Sequence, residues 1–108
     1  MIRHRREDEF LLFTQHDHAL LAGRLAEHIS GALIARPSPE TIQGIALHDC
    51  GWPLHDDEPT INPRGLPLHV FETPPEISTV VWSASARRAA NKDPYSGLLV
   101  SLHVLNLS

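Results

Sequence analysis

"TQHDHALLAGRLAEH", residues Thr14 to His28, spaces its apolar residues at helical intervals, and that period sets the fold class. Thr14 followed three residues later by Asp17 has the form of a capping box, so a helix is expected to start at Thr14. The period carries on to about Ala35, with His18, Leu21, Ala22, Leu25, Ile29, Ala32 and Leu33 on one stripe. On a wheel of about 3.6 residues per turn, His18 sits mid-stripe with Ala22, Leu25 and Ile29, while His16 lies nearly opposite, close to Glu27. His18 is therefore the histidine expected to point inward. His16 and Asp17 are explained by the helix N-terminus, where Asp17 complements the helix dipole.

Upstream, "FLLFT" (Phe10 to Thr14) is apolar without a helical period and reads as a short edge strand or an extended lead-in. Downstream, "ARPSPE" breaks the first helix, and Ser38 with Pro39 behind it forms a cap and first turn for a second. This second helix is expected to reach about Asp49 and to stop at Gly51, with Pro53 beyond. From Trp52 to Pro75 the chain is rich in proline and acids, and a long irregular loop is expected. A third helix fits Glu76 to about Asn91, and a fourth fits Pro94 to Leu107, capped by Asp93. The class is mainly α, with about four helices. "GLLVSLHVLNLS" in the last helix is apolar around nearly its whole circumference and asks to be covered on several sides. It is expected to pack centrally, to meet another chain, or to belong to a fragment whose covering segment is missing.

Composition narrows the function classes. The chain has 108 residues, 42% hydrophobic, which suits one domain with one modest core over residues 1–108. A formal charge of -4 with scattered arginines supplies no electrostatic reason for a nucleic-acid polymer as partner, and "RHRR" at Arg3 to Arg6 runs at once into acids. No stretch approaches the roughly 20 apolar residues of a membrane span. Cys50 is the only cysteine, which rules out an internal disulfide and fits a reducing cytoplasm. The eight histidines contrast with a single lysine, Lys92, and raise the expectation of a metal or proton-transfer site. His4, His28, His55 and His69 read as surface or loop residues.

The chemistry concentrates in "IALHDCGW", Ile45 to Trp52. Asp49 falls on the face of Ile42, Ile45 and Ala46, and a carboxylate buried there needs a cation or a shifted pKa. His48 lies about 100° away, so the pair can share an ion only at the open end of the helix. With a ligand from another element, such as His18, the oxygen and nitrogen donors suit zinc, manganese, iron or nickel. The plainer alternative has Asp49 bonding a neighbouring helix N-terminus while His48 sits half exposed. His103 alone reads as a core histidine beside Leu99. Cys50 is poorly placed as a nucleophile next to its own sequence neighbours, no phosphate-cradling glycine loop is present, and the acidic "HDDEP" reads as a solvated loop.

"FTQHDHALLAGRLAEH", "IALHDCGW" and "DPYSGLLVSLHVLNL", in this order around a proline-rich loop, resemble the bacterial domain-of-unknown-function family 3891. More loosely the chain resembles the HD metal-dependent phosphohydrolases: "HALLAGRLA" is similar to their first metal-histidine helix and "LHDCG" to their His-Asp doublet. The resemblance implies an HD-like helical bundle with His18, His48 and Asp49 as metal ligands and His103 as a weaker fourth. It also implies a divalent ion and hydrolysis of a phosphorylated small molecule or nucleotide, with the Trp52 to Pro75 loop over the mouth of the site. The HD pattern is completed by a later aspartate, and no acid follows His103 here. The alternative function is a non-catalytic helical module that forms a homo-oligomer or binds a partner through residues 94–107.

Overall fold

A computed structural model describes residues 1–107 and is mainly helical, with a two-stranded sheet at its N-terminal end. Strands β1 (Ile2–Arg6) and β2 (Glu9–Phe13) pair antiparallel, from Ile2 opposite Phe13 to Arg6 opposite Glu9. The expected apolar strand is thus β2. Its partner is the arginine-rich segment, whose lack of apolar alternation hid it. The turn between them puts Glu7 at φ 49°, a left-handed conformation that costs a non-glycine residue about 1 kcal/mol.

Helix α1 (Gln15–Glu27) starts where its cap predicts: the Thr14 side chain accepts from the Asp17 N–H. It ends at His28, well before Ala35. Ser30 and Gly31 are weak helix formers, and Leu33, 98% exposed, meets no surface against which a further turn could be buried. The packed face also differs from the stripe read on the wheel. Gln15, Ala19, Gly23 and Ala26 are buried, whereas His18, Leu21, Leu25 and Ile29 are exposed. Close approach of α1 to helix α2 (Pro39–Leu47) selects the small-residue face, because a Cβ on Gly23 would lie 2.7 Å from the Ala46 Cβ.

Helix α2 is central, flanked by α1 and by α5 (Pro94–Leu107), and α5 packs in turn along α4 (Pro75–Lys92). Ser38 caps α2 as expected, and Asp93 caps α5 by accepting from the Ser96 N–H at 2.7 Å. Within this layer Ser96 Oγ donates to the Glu40 carbonyl, joining α5 to the first turn of α2. The core is made of small residues around Trp52, Val81 and Val100, all essentially inaccessible.

The segment between Trp52 and Pro75 is more ordered than expected. It contains a short helix α3 (Pro53–Asp56), a bridge between Ile61 and Pro67, and a 3-10 turn over Val70–Glu72 capped by His69. Asn62 Oδ1 accepts from the Arg64 and Leu66 N–H groups, which closes the intervening turn. Glu72 gathers Arg3, Arg64, Asn62 and the His69 N–H, while the Val70 N–H donates to the Met1 carbonyl. These bonds fasten the segment to the hairpin. Hydrogen bonds first from Arg3, then from His69 N–H and Asn62, hold the Glu72 carboxyl down at about 2.

No helix among the described residues is long and apolar enough to cross a membrane.

Candidate metal centre

Helix α2 stops at Leu47, two residues short of the expected Asp49, and His48 takes the C-cap position. The chain then turns tightly through Asp49, Cys50 and Gly51, with the Cys50 N–H on the Leu47 carbonyl and the Trp52 N–H on the Asp49 carbonyl. Helix α4 clamps the turn. Gly51 N–H donates to Ser85 Oγ at 2.8 Å, Ser85 Oγ donates to the Val81 carbonyl, and Arg88 reaches the Cys50 carbonyl at 2.6 Å. A Cβ at Gly51 would overlap the Val81 carbonyl oxygen and sit 2.8 Å from both Ser85 N and Oγ, so only glycine lets the turn come this close.

This clamp leaves Asp49 4% exposed and fully engaged. Trp52 Nε1–H donates to its Oδ1 at 3.1 Å, and Gln15 Nε2–H, from the first residue of α1, donates to its Oδ2 at 3.1 Å. Gln15 is held in turn by Asp56, whose Oδ2 accepts the Gln15 backbone N–H at 2.8 Å while its Oδ1 pairs with the Met1 ammonium at 3.0 Å. Asp56, expected in a solvated acidic loop, is instead buried at the N-terminus of α1, where a carboxylate satisfies an otherwise orphaned helix donor.

His48 is half-buried, and its Nδ1 lies 2.6 Å from the Ile45 carbonyl. A carbonyl can only accept, so Nδ1 carries the hydrogen and a neutral ring turns the lone pair of Nε2 outward. Nε2 lies 3.3 Å from Asp49 Oδ2. Two acceptors at this distance repel unless a cation or a proton lies between them. Burial lowers the His48 pKa, but hydrogen bonding to Asp49 and to the Ile45 carbonyl, with the Asp49 charge, outweighs it and raises the value.

Two further histidines converge from the flanking helices. The His18 ring, on α1, is centred 5.4 Å from that of His48, and the His103 ring, on α5, 4.9 Å from it, both edge to face. One donor atom each from His18, His48 and Asp49 lies within 4.8 Å of the others, a group able to hold a metal ion. Bonds of about 2.1 Å to one ion bring donors to about 4 Å or less, so a bound ion would draw these donors slightly closer together. Backbone anchoring of the His48 Nδ1–H and double anchoring of Asp49 are the outer supports that metal ligands require. Burial, then the neighbouring His48, lowers the His103 pKa, keeping that ring neutral and its lone pair available.

The structure therefore brings together all four residues singled out in the sequence, with His103 at the edge of the three-residue group. His18 arrives by a different route from the wheel argument: it lies on the exposed face of α1, beside His48 at the open end of α2. His16 is half-buried outside the group. Burial pushes the Cys50 thiol up. Gln15, Trp52 and Asp56 escaped sequence reasoning because each gains meaning only from a partner distant in the chain or across the turn.

No curated protein matches the chain, and no solved structure matches it. Residues 1–108 do match, over their full extent, the family described as "Protein of unknown function (DUF3891)". The chain belongs to that family.

Proposed function

We propose that the protein is an HD-like, metal-dependent phosphohydrolase acting on a phosphorylated small molecule or nucleotide. The observation that carries this reading is the three-residue group at the end of α2: His48 Nε2, whose partner nitrogen is already committed to Ile45, set against a buried Asp49 oxygen, with a His18 nitrogen within 4.8 Å of both. His48, Asp49 and His18 would hold a divalent ion. Their mixed nitrogen and oxygen donors suit zinc, manganese, iron or nickel. Such an ion, when bound, activates water and neutralises phosphate charge. His103, where the HD pattern would supply a later aspartate, serves as a neutral fourth ligand or as a donor to the phosphate. Trp52 donates to the other oxygen of the Asp49 carboxylate.

Elemental analysis of protein purified without added metal, beside Asp49→Ala, tests the binding step. Near-stoichiometric metal that vanishes in the variant is expected, followed by hydrolysis of a generic phosphomonoester or of nucleotides by the loaded protein. Full metal content in Asp49→Ala would sink the ligand assignment. Metal without any phosphate-ester hydrolysis would confine the function to binding.

A second reading rests on the apolar side chains left outside the core: Leu21 and Leu25 on α1, and Leu98 and Leu102 on α5. Surfaces of this kind on a soluble chain point to association, here with a second copy through residues 94–107. The two readings are compatible.

A further inference from the structure

Gln15 is 7% exposed, and its backbone and side chain are both fixed. Its N–H donates to the buried Asp56, and its Nε2 donates to Asp49 Oδ2, the same oxygen that faces His48 Nε2. The amide cannot be turned over, because a carboxylate oxygen accepts and only the NH2 end can donate to it. This leaves Gln15 Oε1 buried with no hydrogen-bond partner, beside the candidate centre. An unpaired buried acceptor costs about 1–3 kcal/mol, and nearly all such groups in folded proteins find a donor.

We propose that Gln15 is a positioning residue of the metal centre: its Nε2–H holds the Asp49 carboxylate toward His48. This rests on the metal reading above and extends it to a residue that is not itself a ligand. The amide suits the task because its NH2 end donates to a carboxylate without bringing a charge of its own. A carboxylate in its place would repel Asp49, and an alkyl chain would leave Asp49 Oδ2 without this donor.

The test titrates Co2+ into metal-stripped wild-type protein and into Gln15→Met, a variant of similar length with neither donor nor acceptor. Affinity and the visible d–d spectrum are read for both, with helical circular dichroism of the metal-free proteins as the control for folding. The expected result is a 10- to 100-fold loss of Co2+ affinity and an altered spectrum in a normally folded variant, the range typical of outer-sphere supports of metal ligands. Unchanged affinity and spectrum in Gln15→Met would overturn the role of Gln15 while leaving the metal centre standing. A wild-type protein that binds no Co2+ would instead overturn the centre itself. If Gln15→Met loses its helical signal, Gln15→Glu is read in its place: a changed spectrum supports the proposal, and an unchanged one refutes it.

Discussion

Asp49 is buried and doubly hydrogen-bonded, and each property can be tested at that one residue. Replacing it with alanine removes the acceptor for two buried donors, Trp52 Nε1–H and Gln15 Nε2–H. An orphaned buried donor costs about 1–3 kcal/mol, so Asp49→Ala is expected to lower the thermal midpoint as well as metal content. Asp49→Asn keeps one acceptor and most of the volume. It should lose metal with a smaller drop in midpoint, and a calorimetric scan beside the elemental analysis separates the two effects. If both variants melt like the wild type, the carboxylate is not the anchor that its bonds suggest. The His-Asp doublet itself was legible in the sequence, since two metal-competent groups followed an apolar run and preceded a glycine. Its supports were not, because Gln15 lies 34 positions away and reaches Asp49 only through the packing of α1. His18 shows the limit from the other side. The wheel singled out the histidine that lies beside His48, but on the assumption of a buried stripe; small residues, not the leucines, let α1 approach α2, and His18 meets His48 from the exposed face.

At the scale of elements, the site depends on how the turn after α2 is pressed onto α4. Gly51→Ala would force a methyl group into the Val81 carbonyl and the Ser85 backbone, neither of which can move without disturbing α4. Overpacking of this kind costs about 1–3 kcal/mol. The expected outcome is a lower thermal midpoint together with weakened metal binding, because Asp49 and Trp52 sit on the same turn. An alanine variant with wild-type midpoint and metal content would mean the turn has slack that its geometry does not show. A separate clamp joins the hairpin to the 3-10 turn through Glu72, and it carries a pH dependence. Glu72 has a folded pKa depressed from 4.5 to about 2, so its contribution is present above about 4.5 and fades as the pH falls through about 2. Acidification across that window should loosen β1 from the Val70–Glu72 turn, read as faster amide exchange at Val70, and Glu72→Gln should show the looser exchange already at neutral pH. The caps at Thr14, Ser38 and Asp93 could be read directly, because they are local bonds within a few residues. The pairing of β1 and the order within residues 52–75 could not, since both rest on Arg3, Asn62 and Glu72 meeting across 10 to 69 positions of sequence.

Across the whole molecule, the helical layer buries its small residues and turns many of its large ones outward. Leu25 is 62% and Leu98 54% exposed, whereas the inaccessible side chains on the same helices are Ala19, Ala26, Val100 and Ser96. This inversion has one physical source: helices that approach through alanine, glycine and serine come close together but leave their leucines no room between them. The all-round apolarity of the last helix was visible in the sequence, and the structure shows that α4 and α2 cover only part of it, around Ser96, Gly97 and Val100. Burying Leu98 and Leu102 against a second copy would remove apolar area from water at about 25 cal/mol per Å2, a gain available without altering the core. Sedimentation velocity across a range of concentrations is therefore expected to show a dimer that dissociates on dilution. The double variant Leu98→Glu/Leu102→Glu should sediment as a monomer, because association would then require burying unpaired carboxylates. Its metal content should equal that of the wild type, since neither residue belongs to the His18, His48 and Asp49 group. A wild-type chain that stays monomeric at high concentration would remove the association reading. Metal lost together with the dimer would mean instead that the open end of α2, where His103 of α5 meets His48, takes its shape from the second copy.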